Sequence, residues 1–170
     1  TLVVNRPTTA SVVQRQPLGG WGASRVGSVA SSGGPHHLVT LGSWAADSRA
    51  RSTTLHPRGL DSRIIAILDA AQPSLDYEQF DQLRRSALSD AVVWGTDFGE
   101  AKDVTLLPSE RNILRYRAVD TSIRATEGTP LWEVLRVVVA AVRARARITL
   151  SVPEGLPPAV RHVLTGLEAL

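Results

Sequence analysis

The chain has four histidines and no cysteine, and these set the first limits on its chemistry. Without a thiol it offers no cysteine nucleophile, no thiolate metal ligand and no disulfide. His36 and His37 are adjacent, so in an extended segment their side chains point to opposite faces. His56 and His162 lie far along the chain with no carboxylate at ligand spacing, and no metal site is read from them. Ser24, Ser28 and Ser31 lie near His36 but lack the G-x-S-x-G elbow that would present a serine nucleophile. No G-x-G-x-x-G follows a strand pattern, and Gly19-Gly20 and Gly33-Gly34 read as turns. Arg143, Arg145 and Arg147 could hold a phosphate. At the end of a helical pattern they read instead as a solvated terminus that complements the helix dipole.

The elements that would position such groups are bounded by composition. The 170 residues are 43% hydrophobic and 21% charged, which fits one globular domain or pieces of two and excludes global disorder. Of 19 cationic residues only Lys102 is lysine, and the arginines are interleaved with 16 acids at a net charge of +3. A nucleic-acid partner needs clustered positive charge, which this dispersion does not give. The run Val137–Val142 is far short of the roughly 20 residues of a membrane span. The start Thr1-Leu2-Val3-Val4-Asn5 lacks a basic leader and an initiator Met, so the sequence reads as the continuation of a larger protein.

Three zones follow. Residues 1–44 are rich in Gly, Ser, Thr and Val and contain no acid. Leu2-Val3-Val4 reads as a strand ended by Asn5-Arg6-Pro7, and Val12-Val13 as a second extended piece. Gln16-Pro17-Leu18-Gly19-Gly20 and Gly33-Gly34-Pro35 are breakers. Residues 45–63 are small, polar and Arg-rich, and read as a linker. Residues 64–170 alternate helix and strand patterns and predict an α/β unit with parallel strands in a Rossmann-like layer. Asp61 or Ser62 caps a helix over 64–71 that Pro73 stops. Ser74 caps a second helix to about Val93. Asn112–Tyr116 and Thr121–Arg124 read as strands. Thr129 caps a helix with Pro130 at its first position. Leu131, Val134, Leu135, Val138, Val139 and Val142 make one apolar stripe there. Ile148–Val152 reads as a strand and Ala159–Leu167 as the last helix. Trp132 is expected in core or interface, and Trp21 and Trp44 against a domain upstream.

Within the first zone, the Asn5-Arg6 start, the Ala10-Ser11 pair, Val12-Val13, Gln16-Pro17-Leu18-Gly19-Gly20 and the later Gly33-Gly34-Pro35 occur in a fixed order and spacing. This segment resembles the C-terminal part of the catalytic domain of L-glutamate γ-semialdehyde dehydrogenases (pyrroline-5-carboxylate dehydrogenases) of the aldehyde dehydrogenase superfamily. In many bacteria that enzyme is fused behind proline dehydrogenase in proline utilisation A. The run Asp103–Arg117 is similar, more weakly, to the accessory C-terminal domain of the longer proline utilisation A proteins. That domain has a cofactor-binding-like fold and structural roles.

The resemblance implies a parent that oxidises glutamate semialdehyde to glutamate with NAD, in the cytoplasm, during proline catabolism. FAD would enter only through a fused proline dehydrogenase. It implies that Thr9-Ala10-Ser11 is the anchor for the substrate carboxylate, with backbone amides as an anion nest and a hydroxyl as a further donor. Leu18 would stand where the family has Phe against the aliphatic part of the substrate. Ala10 stands where the family has Gly, and the two departures leave a decayed, inactive paralogue as an alternative. The family's Cys nucleophile and its cofactor site would lie upstream, so the isolated chain is expected to be inert. The rival readings are a non-catalytic structural or oligomerisation module, with a homo-oligomer as a possible assembly, and an independent small-molecule-binding α/β domain.

Overall fold

The computed structural model describes residues 2–5, 7, 16, 41–43, 45 and 59–167. The chain divides into two compact units, one of residues 1–51 with 101–115, the other of 52–100 with 116–170. Residues 101–115 interrupt the third zone of the sequence and group with the first.

In the larger unit, α1 (Ser62–Ala71) begins at Asp61, whose carboxylate accepts the Arg63 amide at 2.9 Å. Its buried residues Ile64, Ile67, Leu68 and Ala71 fall on one face at helical spacing. A 3₁₀ turn over Gln72–Ser74 takes up Pro73, so Ser74 does not cap the next helix. α2 (Tyr77–Val93) is capped by Asp76 in a capping box with Gln79. It ends in a π-helical turn over Trp94–Phe98, closed by the Gly99 amide on the Trp94 carbonyl at 2.8 Å. The Phe98 and Tyr116 rings meet edge to face at 4.8 Å.

β3 (Thr121–Arg124) and β4 (Ile148–Ser151) pair in parallel, with Ile123 opposite Leu150, and are joined through α3 (Leu131–Arg143). This is one β–α–β unit with a two-stranded sheet. Ile123 is buried and Ile148 and Leu150 are half-buried on its inner face. Ser122, Arg124, Thr149 and Ser151 are exposed on the outer face. Parallel sheets are usually covered on both faces. Here the polar alternation leaves one face in solvent. α3 buries Val134, Leu135, Val138, Val139, Ala141 and Val142, which is the stripe read from sequence. Its predicted cap differs: the Thr129 hydroxyl is bonded to that of Thr126 at 3.1 Å, and Pro130 stands at the helix start without a side-chain cap. α4 (Pro158–Leu167) adds Val160 and Leu164 to the core and packs on α1. The Arg136 guanidinium clamps Asp90 with two bonds of 2.7 and 2.9 Å, tying α3 to α2.

In the smaller unit, the described ladder is two residues long: β1 (Lys102–Asp103) runs antiparallel to β2 (Ile113–Leu114). No described helix is long and apolar enough to cross a membrane.

Candidate functional site

The anchor residues Ala10, Ser11 and Leu18 lie outside the described residues, as do Gly33-Gly34-Pro35, His36, His37, Trp21, Trp44 and His56. Two residues that flank the anchor are described. Asn5 takes a left-handed backbone, φ 59°, a conformation Asn adopts more readily than most residues. Gln16 donates its side-chain amide to Glu110 at 3.1 Å. Glu110 also accepts from Asn112 at 3.1 Å, and Asn112 donates to the Thr105 hydroxyl at 2.9 Å. That hydroxyl bonds Asp103, which also accepts the amides of Thr105 and Leu106. Burial opposes charge on Asp103, but the amides of Thr105, Leu106 and Asn112 outweigh it and hold its carboxyl below the usual range. A polar chain thus runs from Asp103 to the residue just before Pro17-Leu18.

In the larger unit an open groove of about 940 Å³ lies at the amino ends of β3 and β4. Val142, Leu150 and Leu164 are among its apolar lining, and Arg63, Arg145 and Arg147 among its polar lining. Arg63 is committed to Asp61 by bonds of 3.0 and 2.7 Å. These bonds, with the Arg63 amide and the charge of Arg143, pull the Asp61 carboxyl down to about 2 against the opposing effect of burial. The Arg143 Nε is buried without a hydrogen-bond partner among the described residues. Arg145 and Arg147 are exposed, and no ion pair of either side chain is seen among the described residues.

Arg145 holds a left-handed backbone, φ 57°. Its amide donates to Val142 and that of Ala146 to Ala141, both at 3.0 Å, which is the Schellman closure of α3. Glycine is the usual residue there, because a side chain costs roughly 1 kcal/mol in this conformation. In sequence Arg143, Arg145 and Arg147 read as a plain solvated helix end. The absence of glycine after the stripe is the only signal in the sequence that the terminus is strained.

The chemistry open to this groove is ionic and apolar contact. His162 is exposed on α4. Among the described residues no group of three His, Cys, Asp or Glu is placed to hold a metal ion, and no polar or charged residue is buried. The β3–α3 turn, where a dinucleotide would sit in a Rossmann unit, does not fit a pyrophosphate. Pro130 lacks an amide, Glu133 places a carboxylate in the first turn, and Thr126 and Thr129 bond each other. Gly128 at φ +81° faces open space, so its missing side chain serves the turn and no close ligand approach. The chain matches no protein-family model, no curated protein and no solved structure.

Proposed function

We propose that this chain is the tail of an NAD-dependent dehydrogenase that oxidises L-glutamate γ-semialdehyde to L-glutamate, a cytoplasmic enzyme of proline catabolism. The observation that carries the reading is the order and spacing of Asn5-Arg6-Pro7, Gln16-Pro17-Leu18-Gly19-Gly20 and Gly33-Gly34-Pro35. In this reading the amides around Ala10 and the Ser11 hydroxyl hold the substrate carboxylate. Leu18 lies against its methylene chain. Together they orient the aldehyde toward a thiolate supplied by another part of the protein, since this sequence has no cysteine. The hydride acceptor is NAD, held by residues outside this sequence, because the β3–α3 turn carries none of the groups it needs.

The α/β unit has a different role, that of a Rossmann-like accessory module without catalytic groups of its own. The wholly apolar described interior favours that role, because an acid or base tuned for catalysis is usually one withdrawn from water. The test is NADH formation by the full-length gene product with glutamate semialdehyde, beside the isolated 170 residues. Turnover by the full-length protein and none by the isolated chain is the expected result. A full-length protein that lacks both a cysteine nucleophile and turnover would overturn the proposal.

A further inference from the structure

We propose that the free edge of β4 is a self-association surface, at which two copies of this chain pair β4 with β4 antiparallel across a two-fold axis. The result is a four-stranded sheet, β3-β4-β4-β3. The surface stands whether or not residues 1–44 hold a substrate.

The hydrogen-bond pattern shows which groups are available. The Thr121 amide donates to Arg147 at 2.8 Å and the Ala125 amide to Ser151 at 2.9 Å. In a parallel ladder of this register, Arg147, Thr149 and Ser151 direct both backbone groups at β3. Ile148 and Leu150 therefore direct theirs away from it. Neither has a hydrogen-bond partner on that side among the described residues. The groove at the amino ends of the two strands extends along β4: Ile148, Thr149 and Leu150 all line it, although their side chains alternate between faces, whereas on the β3 side its lining stops at Ala118–Asp120, just before the strand. Among the described residues the edge is thus open to an incoming strand, and the groove beside it is also lined by Leu164 and Leu167.

The two edges of the sheet differ in how they are guarded. β3 carries Arg124 among its edge residues, exposed, and charges of this kind blunt an edge against pairing. β4 reads Ile-Thr-Leu-Ser, with no charge and no proline within it. Its charges lie just outside, with Arg145 and Arg147 before the strand and Glu154 after it. All three are exposed, and none has an ion-pair partner among the described residues. A parallel neighbour would set like charge beside like. An antiparallel one brings the arginines of each copy to the Pro153–Glu154 turn of the other, at both ends of the pair. This charge complementarity selects a second copy in antiparallel register as the occupant. With Leu150 opposite itself and Ile148 opposite Val152, the outward amides and carbonyls satisfy one another. A two-fold axis normal to the sheet keeps the apolar residues of both copies on the helix-covered face.

The experiment is sedimentation equilibrium of the full chain from about 1 to about 300 µM, the range in which a small interface associates, together with amide hydrogen exchange at both extremes. The expected result is a monomer–dimer equilibrium in which the Ile148 and Leu150 amides exchange at least about 10-fold more slowly in the concentrated sample, while those of Ser122 and Arg124 do not change. Arg147→Glu should weaken association about 10-fold, and adding Glu154→Arg should restore it to within about 3-fold. Both substitutions are at exposed positions outside the core, so the folded monomer persists as the reference. A chain that stays monomeric throughout would overturn the proposal, as would a dimer that protects Ser122 and Arg124 instead, or a charge swap that fails to restore association.

Discussion

Asp61 carries two separable loads, and substitution can divide them. As the N-cap of α1 it accepts the Arg63 amide, and as an ion it holds the Arg63 guanidinium at 2.7 Å. A cap of this kind contributes about 1 kcal/mol. The depression of its carboxyl from 3.8 to about 2, to which the Arg63 guanidinium contributes most and the Arg63 amide a lesser part, corresponds to about 2 kcal/mol. Because 25% of Asp61 and 36% of Arg63 remain exposed, screening by solvent brings that to about 1 kcal/mol. Asn caps as well as Asp, so Asp61→Asn removes only the ionic part and should cost about 1 kcal/mol at pH 7. Asp61→Ala removes both and should cost about 2 kcal/mol, or roughly 4–8 °C in Tm for a chain of this size. The pH dependence separates them further. The folded carboxyl titrates below the unfolded one, so its ionic contribution is fully present above about pH 4 and disappears as the pH falls through about 2. Urea denaturation at pH 6, 4, 3 and 2 should therefore show the wild-type and Asp61→Asn curves converging in acid while Asp61→Ala stays about 1 kcal/mol below both. A gap between wild type and Asp61→Asn that does not change with pH would refute this reasoning. So would an Asn variant as unstable as the Ala variant at neutral pH.

Three further outcomes follow from local geometry. A side chain at Gly99 would stand 2.6 Å from the Trp94 carbonyl oxygen and 2.7 Å from its indole nitrogen. Gly99→Ala should thus cost about 1–3 kcal/mol in a denaturation titration and shift the Trp94 emission, whereas Gly95→Ala, which meets nothing within 4 Å, should be within about 0.5 kcal/mol of wild type. Arg145→Gly relieves the left-handed strain at the end of α3 and should raise stability by about 0.5–1 kcal/mol by the same measurement. A double-mutant cycle of Asp90→Asn with Arg136→Gln should return a coupling of about 0.5–1.5 kcal/mol, and a value near zero would show that the clamp between α2 and α3 does not operate in solution.

The sequence made the helices of the larger unit legible where periodicity and capping agreed. α3 is the clearest case, because its valines recur at helical offsets and the same residues are buried. The start of α2 was harder to place. Ser74 and Asp76 are both competent caps, and only the reciprocal Gln79 bond together with the turn around Pro73 decides for Asp76. The sequence pattern of β2 extends over five residues, Asn112–Tyr116, but the strand pairs over two, since a ladder set by Lys102–Asp103 elsewhere in the chain leaves no periodic trace in either segment. The π-helical turn after Val93 depends on Gly99 approaching Trp94, a contact between residues whose spacing has no signature of its own. The candidate anchor at Ala10, Ser11 and Leu18 was legible only through a family resemblance, because backbone amides in a tight loop leave no mark on residue type beyond smallness. The free edge of β4 was not legible at all. Edge status belongs to the sheet as a whole, and the four residues of β4 read the same at an edge or in the middle.

The measurement closest to the central claim is the KM of the full-length protein carrying Ser11→Ala, for glutamate semialdehyde and for a simple aliphatic aldehyde. Loss of one hydrogen bond to a carboxylate, at about 1.5 kcal/mol, raises KM for the semialdehyde about 10-fold and leaves the aliphatic aldehyde unchanged. Equal changes for both substrates, or no change for either, would contradict the account.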